Sequence, residues 1–513
     1  MRHQIAFQIA SRDADMKYLD LTGRDLRPSD FYDVVFDHRP VRLAPVALRK
    51  MNRSRRVVEN TLSRRQVVYG VTTGFGKLAG RKISKGEIRR LQVNLIRSHA
   101  CGFGPPLSET QTRGMMLLRA HVLARGYSGV RPIVVERLVE MLNRSLHPVI
   151  PSRGSVGASG DLIPLAHLAQ PLIGEGEARF EGKPLSGKTA LNRAGISPIV
   201  LEAKEGLSLV NGTQGGLALG LLSLFAAERL TETADIAGAM SLEALMGTPT
   251  AFDPKIQRLR PHAGQRRVAQ NMRRLLSRSE IRASHIACSR VQDPYSIRCI
   301  PQVHGAVCDA VDYARRVLSI EMNSVTDNPI VFPEEHRILA GGNFHGHPIA
   351  LALDLLAIAL THLGVISERR IAQLIDPECI DLPPFLTRHP GLHSGLMMPQ
   401  VAAAALASEC KILAHPASVD SIPTSVNQED YVSMAMGSAL KLDQIVSNVE
   451  GILAVEIFAA AEGVAFHAPL RPGRGVAKAI RTLRSKIPPL GEDRSLHREL
   501  EVICGMIRDG AFC

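Results

Sequence analysis

The chain has 513 residues, 45% of them hydrophobic, which is enough to bury a sizeable core and excludes a disordered protein. Its formal net charge is +13, from 62 basic and 49 acidic residues, which raises nucleic acid or an anionic surface as a partner. The basic residues are scattered, densest at residues 265–278 (QRRVAQNMRRLLSR), and aromatic content is 4% with no Trp for base stacking, so a solvated helix face is the better reading.

The opening MRHQIAFQIASRDADMK holds an apolar run too short for a secretory signal. Residues 1–45 show no clear period and read as short strands or loops. Residues 49–63 are basic and helix-permissive, and they run into YGVTTGFG at 69–76, whose three glycines and two threonines mark a loop. A helix is expected over residues 88–98, with Gly102 as its left-handed stop. Ser108 reads as an N-cap with Gln111 at the capping-box position and Leu107 as the staple, for a helix that Gly126 ends. Pro132 opens the next helix, in which Val134, Leu138 and Met141 recur at near-helical spacing. EGEARFEGKPLSG at 175–187 alternates like a small hairpin.

Beyond it the pattern is helical. Residues 207–227 carry no charge, a length that could cross a bilayer, yet Asn211, Thr213, Gln214 and several glycines lie inside and no basic or aromatic anchors flank it. A fully buried core helix fits better. Residues 349–367 repeat the case around Asp354 and His362, and residues 401–413 and 440–463 look like further members. Helices apolar on all sides imply a bundle whose central members are surrounded by others. The expected fold is therefore mainly α. Residues 1–200 form a mixed N-terminal region carrying the site loops, and residues 201–513 supply the long bundle and C-terminal helices of one continuous fold. GRG at 473–475 lacks the third glycine and the preceding strand of a nucleotide fold. Cysteines at 101, 288, 299, 308, 379, 410, 504 and 513 include no Cys-x-x-Cys pair, which points to reduced thiols and a cytoplasmic location.

One stretch stands apart: GSVGASGDLIPLAHL at residues 154–168. Glycines at 154, 157 and 160 permit positive φ and close backbone approach. The Gly160 amide nitrogen could then attack the Ala158 carbonyl carbon, and loss of water would leave an imidazolone. Dehydration of Ser159 would add an exocyclic methylidene, an electrophile that no side chain supplies. The alternative is an ordinary Gly-rich turn before a helix capped near Asp161.

In this stretch and around it the chain resembles the histidine ammonia-lyase family, through YGVTTGFG, GSVGASGDL, KEGLSLVNGTQ, QDPYSIRC, GGNFHG and SVDSIPTSVNQED in that order. The resemblance implies that Ala158, Ser159 and Gly160 become a methylidene-imidazolone, formed autocatalytically with no external cofactor. It implies that Tyr69 transfers the β-proton and that Tyr295 supports the reaction. Gln292 and Arg298 would bind the substrate carboxylate, a role for which the planar guanidinium is suited. Asn211 would hold the oxyanion, Phe344 would lie beside the electrophile, and His99 with Glu429 would recognise an imidazole ring. His345 and His347 resemble a metal pair but lack a clustered third ligand, so no metal is expected. Tyr431 departs from the family, which usually has His there.

The implied reaction is non-oxidative deamination of L-histidine to trans-urocanate and ammonia. The implied assembly is a homotetramer whose sites are shared between subunits, with no nucleic-acid or membrane partner. The alternatives are a tyrosine or phenylalanine ammonia-lyase, a 2,3-aminomutase, or a basic helical binding protein without activity.

Overall fold

The computed structural model describes residues 17–285, 291–378 and 382–513. The chain divides into two compact units, each assembled from three segments. The first takes residues 1–221, 316–351 and 417–440, and the second residues 222–315, 352–416 and 441–513. This division is not a single cut near residue 200. Four long helices, Gln214–Ala244, Ile300–Met322, His347–Ile375 and Ala435–Ala465, each run on through one of its boundaries.

The first unit holds all the strands among the described residues. Leu19–Leu21 pairs in parallel with Val41–Leu43, Phe103–Pro106 pairs with Pro151–Arg153, and Ile330–Phe332 turns back on Arg337–Leu339. The hairpin expected at 175–187 is Glu177–Phe180 with Lys183–Ser186, joined on its open side by His147–Pro148. Where short strands or loops were expected before residue 45, a nine-residue helix, Pro28–Phe36, also forms. Pro at its first position and Asp30, which accepts from the Arg27 N–H at 3.2 Å, start it, and Phe31, Val34 and Val35 bury one face. Two turns give too short a period to stand out in sequence.

Ser108 caps the Glu109–Ala124 helix through the Gln111 N–H, and Gly126, at φ +81°, follows its end. Gly102 is not the left-handed stop expected of it. The Ile88–His99 helix ends at Ala100, and Gly102 is needed for closeness, because a Cβ there would lie 3.0 Å from Pro151 Cβ and 3.2 Å from Ile163. The helix expected over 207–227 is two helices, Glu205–Val210 and Gln214–Ala244, broken at residues 211–213. Asn211 and Thr213 lie in the break, and Gln214 begins the second helix.

In the second unit Ile371, Ala403, Ala407, Ile452 and Val455 form a buried cluster. The long helices are also tied there by buried charge. Arg370 donates to Glu456 at 2.5 and 2.8 Å, Ser241 and Ser367 donate to the same carboxylate, and His304 bridges Arg370 and Asp235. The guanidinium can only donate, so His304 Nε2 accepts and Nδ1–H points to Asp235. Two helices, His347–Ile375 and Ala435–Ala465, are long and apolar enough to cross a membrane, but 72% and 78% of their most apolar windows are buried inside the fold. The basic stretch forms the Ala263–Leu275 helix, which buries Val268, Ala269, Met272 and Leu275 while Arg266, Arg267 and Arg274 are exposed.

Candidate active site

A cavity of about 620 Å³ opens in the first unit, lined by residues from five distant parts of the chain, among them Tyr69, Ser98, His99, Ser159, Asn211 and Glu429. Tyr69 comes from the expected loop. Its threonines have structural work: Thr72 Oγ1 accepts from Val68 N at 2.9 Å and donates to Gln66 O, while Thr73 Oγ1 accepts from Gly70 N. The Tyr69 hydroxyl oxygen accepts from Gly76 N at 3.2 Å.

The glycine-rich segment has the expected conformation, with φ of +130° at Gly154, +84° at Gly157, +54° at Ser159 and +78° at Gly160. It is held on both sides. Gly160 bridges to Gly212, the Asp161 N–H donates to Gly212 O at 2.7 Å, and the Met434 N–H donates to Val156 O at 2.9 Å. A Cβ at position 160 would lie 2.2 Å from Gly212 O, and one at position 157 would lie 2.1 Å from Ser433 Oγ. Only glycine fits at either.

Asp161 sits where a helix cap was expected, yet its side chain does not cap its own helix. It turns to the start of Gln214–Ala244, accepting from Gly216 N at 2.9 Å and from Ser155 Oγ at 3.2 Å. Burial pushes this carboxyl up to about 6. The sequence reading missed this role, although an acid directly after Ala158, Ser159 and Gly160 was there to be weighed. It also missed Asn328, a cavity-lining residue whose carbonyl oxygen accepts from Asn211 Nδ2 at 3.0 Å. The other end of the Asn211 amide, Oδ1, is buried and accepts no hydrogen bond from the described residues. A buried acceptor left open on a cavity wall is a place for a ligand donor.

His99 Nδ1 lies 2.8 Å from Leu95 O and 3.0 Å from Ser98 Oγ. A carbonyl only accepts, so Nδ1 carries the proton and Nε2 of the neutral ring is an acceptor. Burial pulls the His99 pKa down, against the Leu95 hydrogen bond and the Glu429 charge, which keeps the neutral form. Glu429 Oε2 accepts from Thr424 Oγ1 at 3.0 Å and Ser425 Oγ at 2.6 Å. Its Oε1 faces Ser159 Oγ at 3.3 Å.

Six expected site residues do not line this cavity: Ala158 and Gly160, which flank Ser159, and four that lie elsewhere. Gln292, Tyr295 and Arg298 belong to the second unit, where they border a separate cleft with Leu245 and Gln373. Tyr295 is 70% exposed, and the Arg298 guanidinium stacks over its ring at 4.4 Å. Phe344 is half-buried in the turn after Gly342. The neighbouring His345 stacks on Tyr431, with ring centroids 6.0 Å apart and planes 12° from parallel.

The model of the aromatic amino acid lyase family matches residues 26–485, nine-tenths of the chain. The chain belongs to that family. Among its relatives, the histidine ammonia-lyase of Koribacter versatilis is 53% identical over 508 residues, covering 96% of this lyase and 98% of its relative. That of Myxococcus xanthus is 50% identical and covers 96% of each. The crystal structure of histidine ammonia-lyase from Trypanosoma cruzi superposes with a TM-score of 0.90 at 41% identity, covering 97% of this chain and 94% of that one. Tyrosine aminomutase from Streptomyces globisporus reaches 0.91 at 36% identity, covering 97% and 98%. Shared architecture therefore does not separate the two reactions. The lining of the cavity has to.

Proposed function

We propose that this lyase removes ammonia from L-histidine to give trans-urocanate. The observation that carries the reading is the convergence of His99 and Glu429 on the cavity that Ser159 enters, because two polar ring partners suit an imidazole and would be stranded by a benzene ring.

Ala158, Ser159 and Gly160 fit the methylidene-imidazolone of the resemblance: positive φ at 159 and 160 folds the backbone on itself, and no Cβ obstructs the attacking nitrogen. Once formed, that group supplies an electron-poor carbon, which makes an otherwise inert β-proton acidic enough to remove. The remaining work falls to side chains. Tyr69 takes the proton from the β-carbon, His99 Nε2 accepts a ring N–H, Glu429 holds the far side of the ring, and the open Asn211 Oδ1 faces a donor.

The carboxylate contacts come from Gln292 and Arg298, with Tyr295 beside them and Phe344 near the electrophile, delivered by neighbouring copies in a homotetramer. The exposure of Tyr295 and the outward Arg298 stack support that assignment. The six described cysteines are free thiols, in keeping with a cytoplasmic enzyme.

Steady-state kinetics on L-histidine, L-tyrosine and L-phenylalanine, with analysis for β-amino acids, test the reading. Urocanate should form with the highest kcat/KM. A greater efficiency on tyrosine, or a β-tyrosine product, would overturn it. The intact chain should weigh two waters less than its translated sequence, and Ser159→Ala, with no hydroxyl to lose, should fall short of that two-water loss and abolish turnover.

A further inference from the structure

Arg119 lies on the Glu109–Ala124 helix with no exposed surface, and its guanidinium donates to neutral oxygens. It donates to Asn211 O from both terminal nitrogens, at 3.0 and 2.9 Å, to Ser208 O at 2.5 Å and to Gln214 Oε1 at 2.6 Å. Ser208 and Asn211 close the Glu205–Val210 helix, and Gln214 begins the next. One guanidinium thus satisfies carbonyls on one side of the break and the first side chain on the other, where the backbone has no helical partners of its own.

The contact continues toward the reactive tripeptide. A Cβ on Gly212 would lie 2.5 Å from Arg119 Nη1, so the cation rests directly against that residue. The opposite side of Gly212 bridges Gly160, and its carbonyl holds the Asp161 N–H at 2.7 Å. Asn211, one residue earlier, is a lining residue of the cavity, and its buried Oδ1 accepts no hydrogen bond from the described residues. Gln214 Nε2 is braced in turn by Thr326 Oγ1 at 2.9 Å. Burying a cation without a bonded carboxylate is costly, and a fork of donors is what makes it worth retaining at this place.

We propose that Arg119 is a positioning residue: it holds residues 211–213 as the wall against which Ala158, Ser159 and Gly160 close their ring, and it aims Asn211 into the cavity. The inference rests on the cofactor reading above. The chemistry it serves is balanced without an oxidant. The Gly160 N to Ala158 C bond forms, and the Ala158 oxygen leaves as water with the amide protons of Ser159 and Gly160. The Ser159 hydroxyl then leaves as a second water with the proton on its own Cα.

The test follows ring closure by intact mass during refolding of purified full-length chains, with circular dichroism and the assembled size as checks on folding. Arg119→Gln should close the ring at least tenfold more slowly than wild type. Arg119→Lys, which keeps the charge but not the fork, should fall between them. Gln214→Met removes one acceptor with little change in volume and should slow closure a few-fold in the same direction. In chains that have lost both waters, Arg119→Lys should show a lowered kcat with a smaller change in KM.

Folded Arg119 variants that close at the wild-type rate with unchanged kcat would overturn the proposal. If Arg119→Gln does not fold, Gln214→Met decides it by the same criterion. A wild-type chain that keeps its full mass would instead remove the cofactor reading, and this inference with it.

Discussion

Ser159 and Glu429 are 270 positions apart in sequence and 3.3 Å apart in space, and Tyr69 reaches the same cavity from a third part of the chain. The proposed function gives each a separable task, so single substitutions should fail in different ways. Tyr69→Phe keeps the ring and removes the proton acceptor; kcat should fall by roughly 10²- to 10⁴-fold in a chain that still loses two waters. Unchanged turnover would release Tyr69 from proton transfer. His99→Leu should act on selectivity. An imidazole N–H deprived of the His99 acceptor costs about 1 to 3 kcal/mol, so the preference for histidine over tyrosine should drop roughly tenfold to a hundredfold. A preserved ratio would remove His99 from ring recognition. Tyr431→His should change turnover only modestly, since Tyr431 stacks on His345 and does not line the cavity. At this scale the sequence was readable where a residue sat in a marked setting, as with Tyr69 and the tripeptide. A lone Asn or Glu carries no such mark: Asn211 and Glu429 came from resemblance, and Asp161 was hidden by looking like a helix cap.

Helices with strong local signals, such as those beginning at Ser108 and Pro132, were legible because a cap or a proline fixes the first turn whatever the tertiary context. The break at 211–213 was not, because the guanidinium that its carbonyls bond, Arg119, is nearly a hundred positions away. Buried polar groups of this kind also set the pH response. His147 accepts at Nε2 from Arg113 and faces Glu109 with Nδ1, and burial pulls it down to about 3; burial likewise pulls His121 down to about 4. Both are neutral when folded and protonate near pH 6.5 when unfolded, so their contribution is complete above that pH and is lost as the pH falls below it. At pH 5.5 each costs about 1.4 kcal/mol. Asp161, raised to about 6, and Glu243, raised to about 7, act in the opposite sense, losing stability as pH rises through those values. The imidazole part is isolated by comparison: the stability gap between wild type and His147→Gln should shrink by about 1.4 kcal/mol between pH 7.5 and 5.5 in denaturant titrations. A gap independent of pH would show that His147 titrates alike in both states.

For the whole molecule, the mainly helical class followed from the apolar stretches, whereas the discontinuous make-up of each unit did not, since periodicity says nothing about which distant segments meet. The net charge of +13 is predicted to be a surface property; retention on heparin should be weak and vanish at modest salt, and tight binding to one DNA sequence at physiological salt would contradict this. Sharing of sites between copies has a sharper test. Tyr69→Phe chains and Arg298→Ala chains, each nearly inactive, should regain activity when co-expressed, because some sites then combine an intact Tyr69 with an intact Arg298. Hybrid assemblies no more active than their parents would place both residues in one chain's site.

The first unit is not finished until residue 440, and the segment before Ser159 is pinned by Met434. On a ribosome adding about 5 to 20 residues per second, residues 160 and 440 emerge roughly 15 to 55 seconds apart. Until residue 434 is made, the segment before Ser159 lacks the clamp of the Met434 N–H on Val156 O, although the wall at 211–213 is already present. On the proposed chemistry, ring closure would wait for that clamp, and the growing polypeptide would not show an electrophile to the thiols and amines of the cell around it.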